Sequence, residues 1–97
     1  MSLPVYVTLI QADHSPGAES IGTLYDLSIG GCAFHHVKEL PIGERVQVRI
    51  ELNEQLAAKF RKPLLTARGV IIRCVREEPY HDFLVSVRFQ PQPQNQT

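Results

Sequence analysis

Apolar and polar residues alternate along most of this chain. From Arg45 to Leu52 the apolar positions are Val46, Val48, Ile50 and Leu52, and the polar ones are Arg45, Gln47, Arg49 and Glu51. A period of two puts one set on each face of a strand, so the segment predicts a strand with one buried face. Phe83 to Phe89 repeats the pattern, with Phe83, Val85, Val87 and Phe89 predicted inward. Val5 to Ile10 is rich in β-branched residues and includes Tyr6, which suits a pleated surface. Turn chemistry separates these runs at His14-Ser15-Pro16-Gly17, Pro41-Ile42-Gly43-Glu44 and Glu77-Glu78-Pro79-Tyr80. Residues 53–62 break the alternation and read as a helical turn too short to stand alone. Six strands are expected, at 4–12, 19–26, 31–37, 44–52, 63–76 and 82–90, with Gly69 marking a bend or bulge in the long fifth one. No segment repeats another. The fold class expected is all-β, a closed or nearly closed six-stranded antiparallel barrel.

Composition narrows the functional classes. The chain has 97 residues, enough for one domain and too few for a deep catalytic cleft beside a second domain. Residues 4–90 are assigned to the barrel, and residues 91–97, rich in Pro and Gln, to a polar tail or linker. Met1-Ser2-Leu3 reads as a start incidental to the domain. The hydrophobic fraction is 43% with zero formal net charge, which argues against disorder. Charge is nonetheless uneven: residues 1–37 hold Asp13, Glu19 and Asp26 with no Lys or Arg, and residues 38–97 carry a net +3. Basic residues scattered among acids do not make the concentrated positive surface that DNA or RNA binding needs. Cys32 and Cys74 match neither a disulfide framework nor a zinc spacing, so both are expected to be reduced and structural. No signal peptide opens the chain and no apolar run approaches a membrane span, so a cytoplasmic location is expected.

The run Asp26-Leu27-Ser28-Ile29-Gly30-Gly31 is the densest candidate for chemistry. It reads as longer than a minimal two-residue hairpin. Asp26 and Ser28 are two apart and project to one side of a strand. The Asp26 carboxylate can accept from the N–H groups of a guanine, and the Ser28 hydroxyl can donate to a phosphate or to backbone. Gly30 and Gly31 permit positive φ and close approach of a ligand, and N–H groups around them can form an anion-binding concavity. Read on its own, the hexapeptide is also an ordinary Asx-type turn with glycines for geometry.

The order of motifs resembles the PilZ domain family. Leu24-Tyr25-Asp26-Leu27-Ser28-Ile29-Gly30-Gly31 is similar to that family's Asp/Asn-x-Ser-x-x-Gly motif and its approach strand. Leu40-Pro41-Ile42-Gly43-Glu44-Arg45-Val46, Gly69-Val70-Ile71-Ile72-Arg73 and Val87-Arg88-Phe89 follow in the family's order, so the resemblance spans about residues 4–90. It implies a PilZ-like barrel that acts as a non-enzymatic bacterial signalling module, without a metal or other cofactor. The implied ligand is cyclic di-GMP, bound through Asp26, Ser28, Gly30 and Gly31. A neighbouring domain or partner protein would receive the signal, as part of a larger protein. One departure stands out. Family members that bind the nucleotide carry Arg-x-x-x-Arg just before the first strand, where it clamps phosphates and guanine faces, and the first arginine here is Arg45. Either the sequence starts downstream of that motif, or the domain is a degenerate, protein-interacting member that no longer binds nucleotide.

Other constellations are weaker. His35 and His36 are adjacent, so on a strand they face opposite ways and cannot together chelate one metal. A Ser28–His35–Asp26 relay can be drawn, but nothing resembles a nucleophile elbow. Arg73, Arg76 and Arg88 read as solvated barrel faces, and Tyr80, His81 and Phe83 as a possible contact site, with Phe83 assigned to the core.

Overall fold

Strand alternation translates directly into a buried wall. In a computed structural model, which describes residues 3–13, 15–78 and 82–91, Val46, Val48 and Ile50 have no solvent exposure while their odd-numbered neighbours face outward. The elements are β1 (Pro4–Ile10), β2 (Pro16–Ser28), β3 (Gly31–His36), β4 (Arg45–Glu51), α1 (Glu54–Phe60), β5 (Leu64–Glu77) and β6 (Asp82–Phe89). The strands close in the order β1-β2-β3-β6-β5-β4, and every neighbouring pair, including β1 with β4, is antiparallel. Closure leaves no free sheet edge. The expected six-stranded antiparallel barrel is therefore what the chain forms. Phe34 and Ile71 join the β1 and β4 valines at its centre, with Val85 and Val87 from β6.

Three details differ from expectation. β2 begins at Pro16 rather than at Glu19, because Pro16 already pairs with Ile10. Proline is tolerated as the first residue of a strand, where its missing N–H is not needed. The turn before it is held by Asp13, whose Oδ1 accepts from the Ser15 N–H at 3.0 Å and the Ser15 hydroxyl at 2.6 Å. Those two bonds hold the Asp13 carboxyl below its ordinary pKa. The bend in β5 falls at Ile72, where the register with β6 shifts between Ile71 and Arg73, and not at Gly69. Gly69 is there for space, since a Cβ would press on the Arg88 carbonyl and the Val87 side chain. The proposed helical turn is a full short helix. Asn53 Oδ1 caps it by accepting from the Leu56 N–H at 2.9 Å, and Leu56 and Phe60 pack on the barrel core. His14, Tyr80 and His81, together with the tail from 92 onward and Met1-Ser2, lie outside the described residues.

The adjacent histidines do face opposite ways. His36 is 2% exposed, with Nε2 2.8 Å from the Ser20 hydroxyl and Nδ1 against the Lys38 backbone. His35 points outward. Both cysteines are free. Burial pushes the Cys32 thiol up to about 12 from an ordinary 9.0, because a thiolate would be stranded among apolar side chains. A raised folded-state pKa means the folded form holds its proton longer than the unfolded form. The stability this gives is complete below the unfolded pKa and is lost as pH rises from about 9 toward 12. Cys74 is only half-buried. Alkylation at neutral pH should therefore modify Cys74 quickly and Cys32 only on unfolding, and mass spectrometry of a timed reaction checks this. Equal rates would contradict the burial of Cys32.

Candidate functional site

The Asp26–Gly31 run lies at the β2–β3 hairpin. Asp26 pairs with Ala33, Leu27 with Cys32, and Ser28 with Gly31, which leaves only Ile29 and Gly30 as the loop. The connection is thus a two-residue hairpin and not the longer loop expected, because the strand continues through Leu27, which is buried, and Ser28. Asp26 and Ser28 are both exposed on one side, as their spacing predicted. Ser28 Oγ donates to the Gly31 carbonyl at 3.3 Å, which fastens the hairpin across its own mouth.

The two glycines do different things from those anticipated. Among the described residues, positive φ occurs only at Gly43 and Arg61, so neither Gly30 nor Gly31 uses that freedom. A Cβ on Gly30 would meet nothing within 4 Å. A Cβ on Gly31 would collide with the Val87 carbonyl oxygen of β6, the strand paired beside β3. Gly31 permits close approach, but of the protein's own backbone.

Asp26 borders a groove of about 250 Å³ lined by Leu3, Leu24, Tyr25, Leu27, Asn53 and Leu56. Leu24, Leu27 and Leu56 make an apolar wall, and Asp26 supplies a carboxylate acceptor. Tyr25 was missed as a site residue. Simple alternation from buried Leu27 would turn it inward, yet it is 66% exposed. A β-bulge between Leu24 and Asp26 explains this: Leu24 pairs with Phe34 and Asp26 with Ala33, so Tyr25 is the extra residue and swings out. The three-residue spacing from Leu24 to Leu27 was the available signal. Asn53 was missed because its role as helix cap appears only once α1 is placed beside β2. Ser28, Gly30 and Gly31 do not line this groove.

The groove can hold one flat, partly apolar ring, with Tyr25 beside it and Asp26 accepting N–H donors at its edge. Ligand pockets usually enclose about 300–1,000 Å³, so this is part of a pocket rather than a whole one. Among the described residues that line it there is no cation. A larger hollow of about 890 Å³ lies on the outer face of β4 and β5, beside Lys62, Arg68 and Gln90, and contains none of the expected site residues.

The Ser28–His35–Asp26 relay does not form. His35 Nε2 is 2.8 Å from Glu77 Oε1, and its ring meets Tyr25 edge to face at 5.4 Å. Arg73, Arg76 and Arg88 are exposed, as expected, with Arg76 3.4 Å from Glu78. Phe83 packs against the core. Among the described residues no helix is long and apolar enough to cross a membrane.

Comparison with known proteins agrees with the architecture. No curated protein matches the chain. The PilZ domain matches residues 1–97, the whole length. With a closed six-stranded antiparallel barrel and the Asp26–Gly31 run on its second hairpin, the chain belongs to the PilZ domain family.

Proposed function

We propose that this chain is a non-enzymatic bacterial signalling module for cyclic di-GMP, and that the β2–β3 edge is the receiving half of its site. The observation that carries this reading is the groove in which Asp26 and Tyr25 sit side by side over an apolar wall. A guanine needs that combination: an aromatic or apolar face for its ring and a carboxylate for its N–H edge. Ser28, Gly30 and Gly31 then contribute by fixing the hairpin that presents Asp26.

The ligand carries two phosphate charges, and none of the described lining residues offsets them. Residues 1–44 also hold no arginine to do so. We therefore assign the phosphate half of the site to an Arg-x-x-x-Arg segment of the kind nucleotide-binding family members carry before the first strand. In the cytoplasm, closure of such a segment over the groove would alter the surface offered to a neighbouring domain or partner protein. The missing cation favours a second reading, a protein-interaction module that has lost the nucleotide.

Titration of ¹⁵N-labelled chain with cyclic di-GMP separates the two. The first reading predicts weak, fast-exchange shifts concentrated on Tyr25, Asp26, Leu27 and Asn53. Absence of shifts there at millimolar ligand, or shifts centred on Lys62 and Arg68, would overturn it.

A further inference from the structure

We propose that His35, Glu77 and Asp82 form a binding site for a divalent transition metal, with Zn²⁺ the ion their chemistry suits best. The three residues come from three adjacent strands, at the end of the barrel where β5 turns into β6. Glu77 is the last residue of β5, Asp82 the first of β6, and the two are direct cross-strand partners. His35 on β3 pairs with Leu84, two residues along β6 from Asp82, so its ring reaches the same outer face. One donor atom from each residue lies within 4.8 Å of the other two.

Two features mark the cluster as more than a surface ion pair. Carboxylates placed directly opposite each other on one sheet face repel, and strands normally avoid that pairing. In addition, Asp82 Oδ1 is buried and has no hydrogen-bond partner among the described residues. A buried acceptor left without a partner is costly, and a missing donor or cation is the usual explanation. His35 is already engaged with Glu77 at 2.8 Å and does not satisfy that oxygen. A cation between the three groups would offset the repulsion and give Asp82 Oδ1 its partner.

The donor set selects among cations. One imidazole with two carboxylates suits zinc and its neighbours, whereas Ca²⁺ and Mg²⁺ favour all-oxygen shells. Zinc holds such ligands at about 2.0–2.2 Å, which puts tetrahedral donors about 3.4 Å apart. The present spread, from 2.8 Å to 4.8 Å, brackets that value, so side-chain rotation alone would assemble three ligands and leave a position for water. Entry is open, since the His35 and Glu77 side chains are 29% and 39% exposed. The edge-on contact with Tyr25 steadies the imidazole.

Calorimetric titration of the reduced chain with Zn²⁺ at neutral pH tests the site. One equivalent should bind saturably, with no comparable uptake of Mg²⁺. His35→Gln and Asp82→Asn should each weaken binding at least tenfold, and Cys74→Ser should leave it unchanged. In the unaltered chain the His35 Cε1–H resonance should move on Zn²⁺ addition while that of His36 stays in place, a readout that does not depend on any variant folding. Absence of saturable uptake, uptake that survives both substitutions, or an unmoved His35 resonance would overturn the proposal. None of these outcomes bears on nucleotide binding.

Discussion

Replacing Gly31 with alanine should cost the barrel about 3 kcal/mol or more, while the same change at Gly30 should fall within about 0.5 kcal/mol. The two glycines are adjacent in the hairpin, yet their surroundings differ. The Gly31 Cβ would be driven into the Val87 carbonyl oxygen, and backbone cannot rotate aside as a flexible side chain can. Relief would require β3 and β6 to separate at the Gly31–Arg88 pair. In an open sheet an edge strand could absorb that shift. In a closed ring every strand is hydrogen-bonded on both sides, so displacement propagates to Cys32–Val87 and Phe34–Val85, which are core pairs. Gly30 has open space around it and a negative φ, so alanine there removes only unfolded-state freedom. Urea denaturation of both variants reads the contrast. Equal midpoints would contradict the close approach of the Val87 carbonyl of β6 to Gly31.

Joining an Arg-x-x-x-Arg segment ahead of β1 should raise affinity for cyclic di-GMP by two to four decades. A hydrogen bond to a charged group contributes about 1.5–3 kcal/mol, and about 1.4 kcal/mol is one decade, so each arginine is expected to give one to two decades. The groove offers ring contacts and one acceptor, but among the described residues that line it the only charge is the Asp26 carboxylate, of the same sign as the phosphates. At low ionic strength this like charge works against binding, and added salt should weaken that penalty. An arginine pair reverses the sign of the local field as well as supplying donors. The gain should therefore be largest at low salt.

Much of the barrel was legible because its strands obey a simple rule. The alternation in β4 and β6 marks their inward faces, and all six strand positions follow from it and from turn residues. What alternation could not give was where it fails. The bulges at Tyr25 and Ile72 each shift a face by one residue, and that depends on how the neighbouring strand pairs. The first of them decides the site, since it turns Tyr25 outward into the groove. Asp26 and Ser28 were identifiable from their spacing. Gly31 drew notice for a ligand-facing reason, whereas its neighbour is β6, a strand more than fifty residues away in sequence. The His35–Glu77–Asp82 cluster was invisible for the same reason: three separate strands bring it together.

The central claim, that the β2–β3 edge is one half of a cyclic di-GMP site, is tested most directly by calorimetry on three proteins. These are the 97-residue chain, the chain joined to an upstream Arg-x-x-x-Arg segment, and that longer chain carrying Asp26→Ala. The prediction is weak heat from the first, tight one-site binding by the second, and a loss of at least tenfold in the third. Tight binding by the 97 residues alone, or no binding by the arginine-bearing chain, would contradict it.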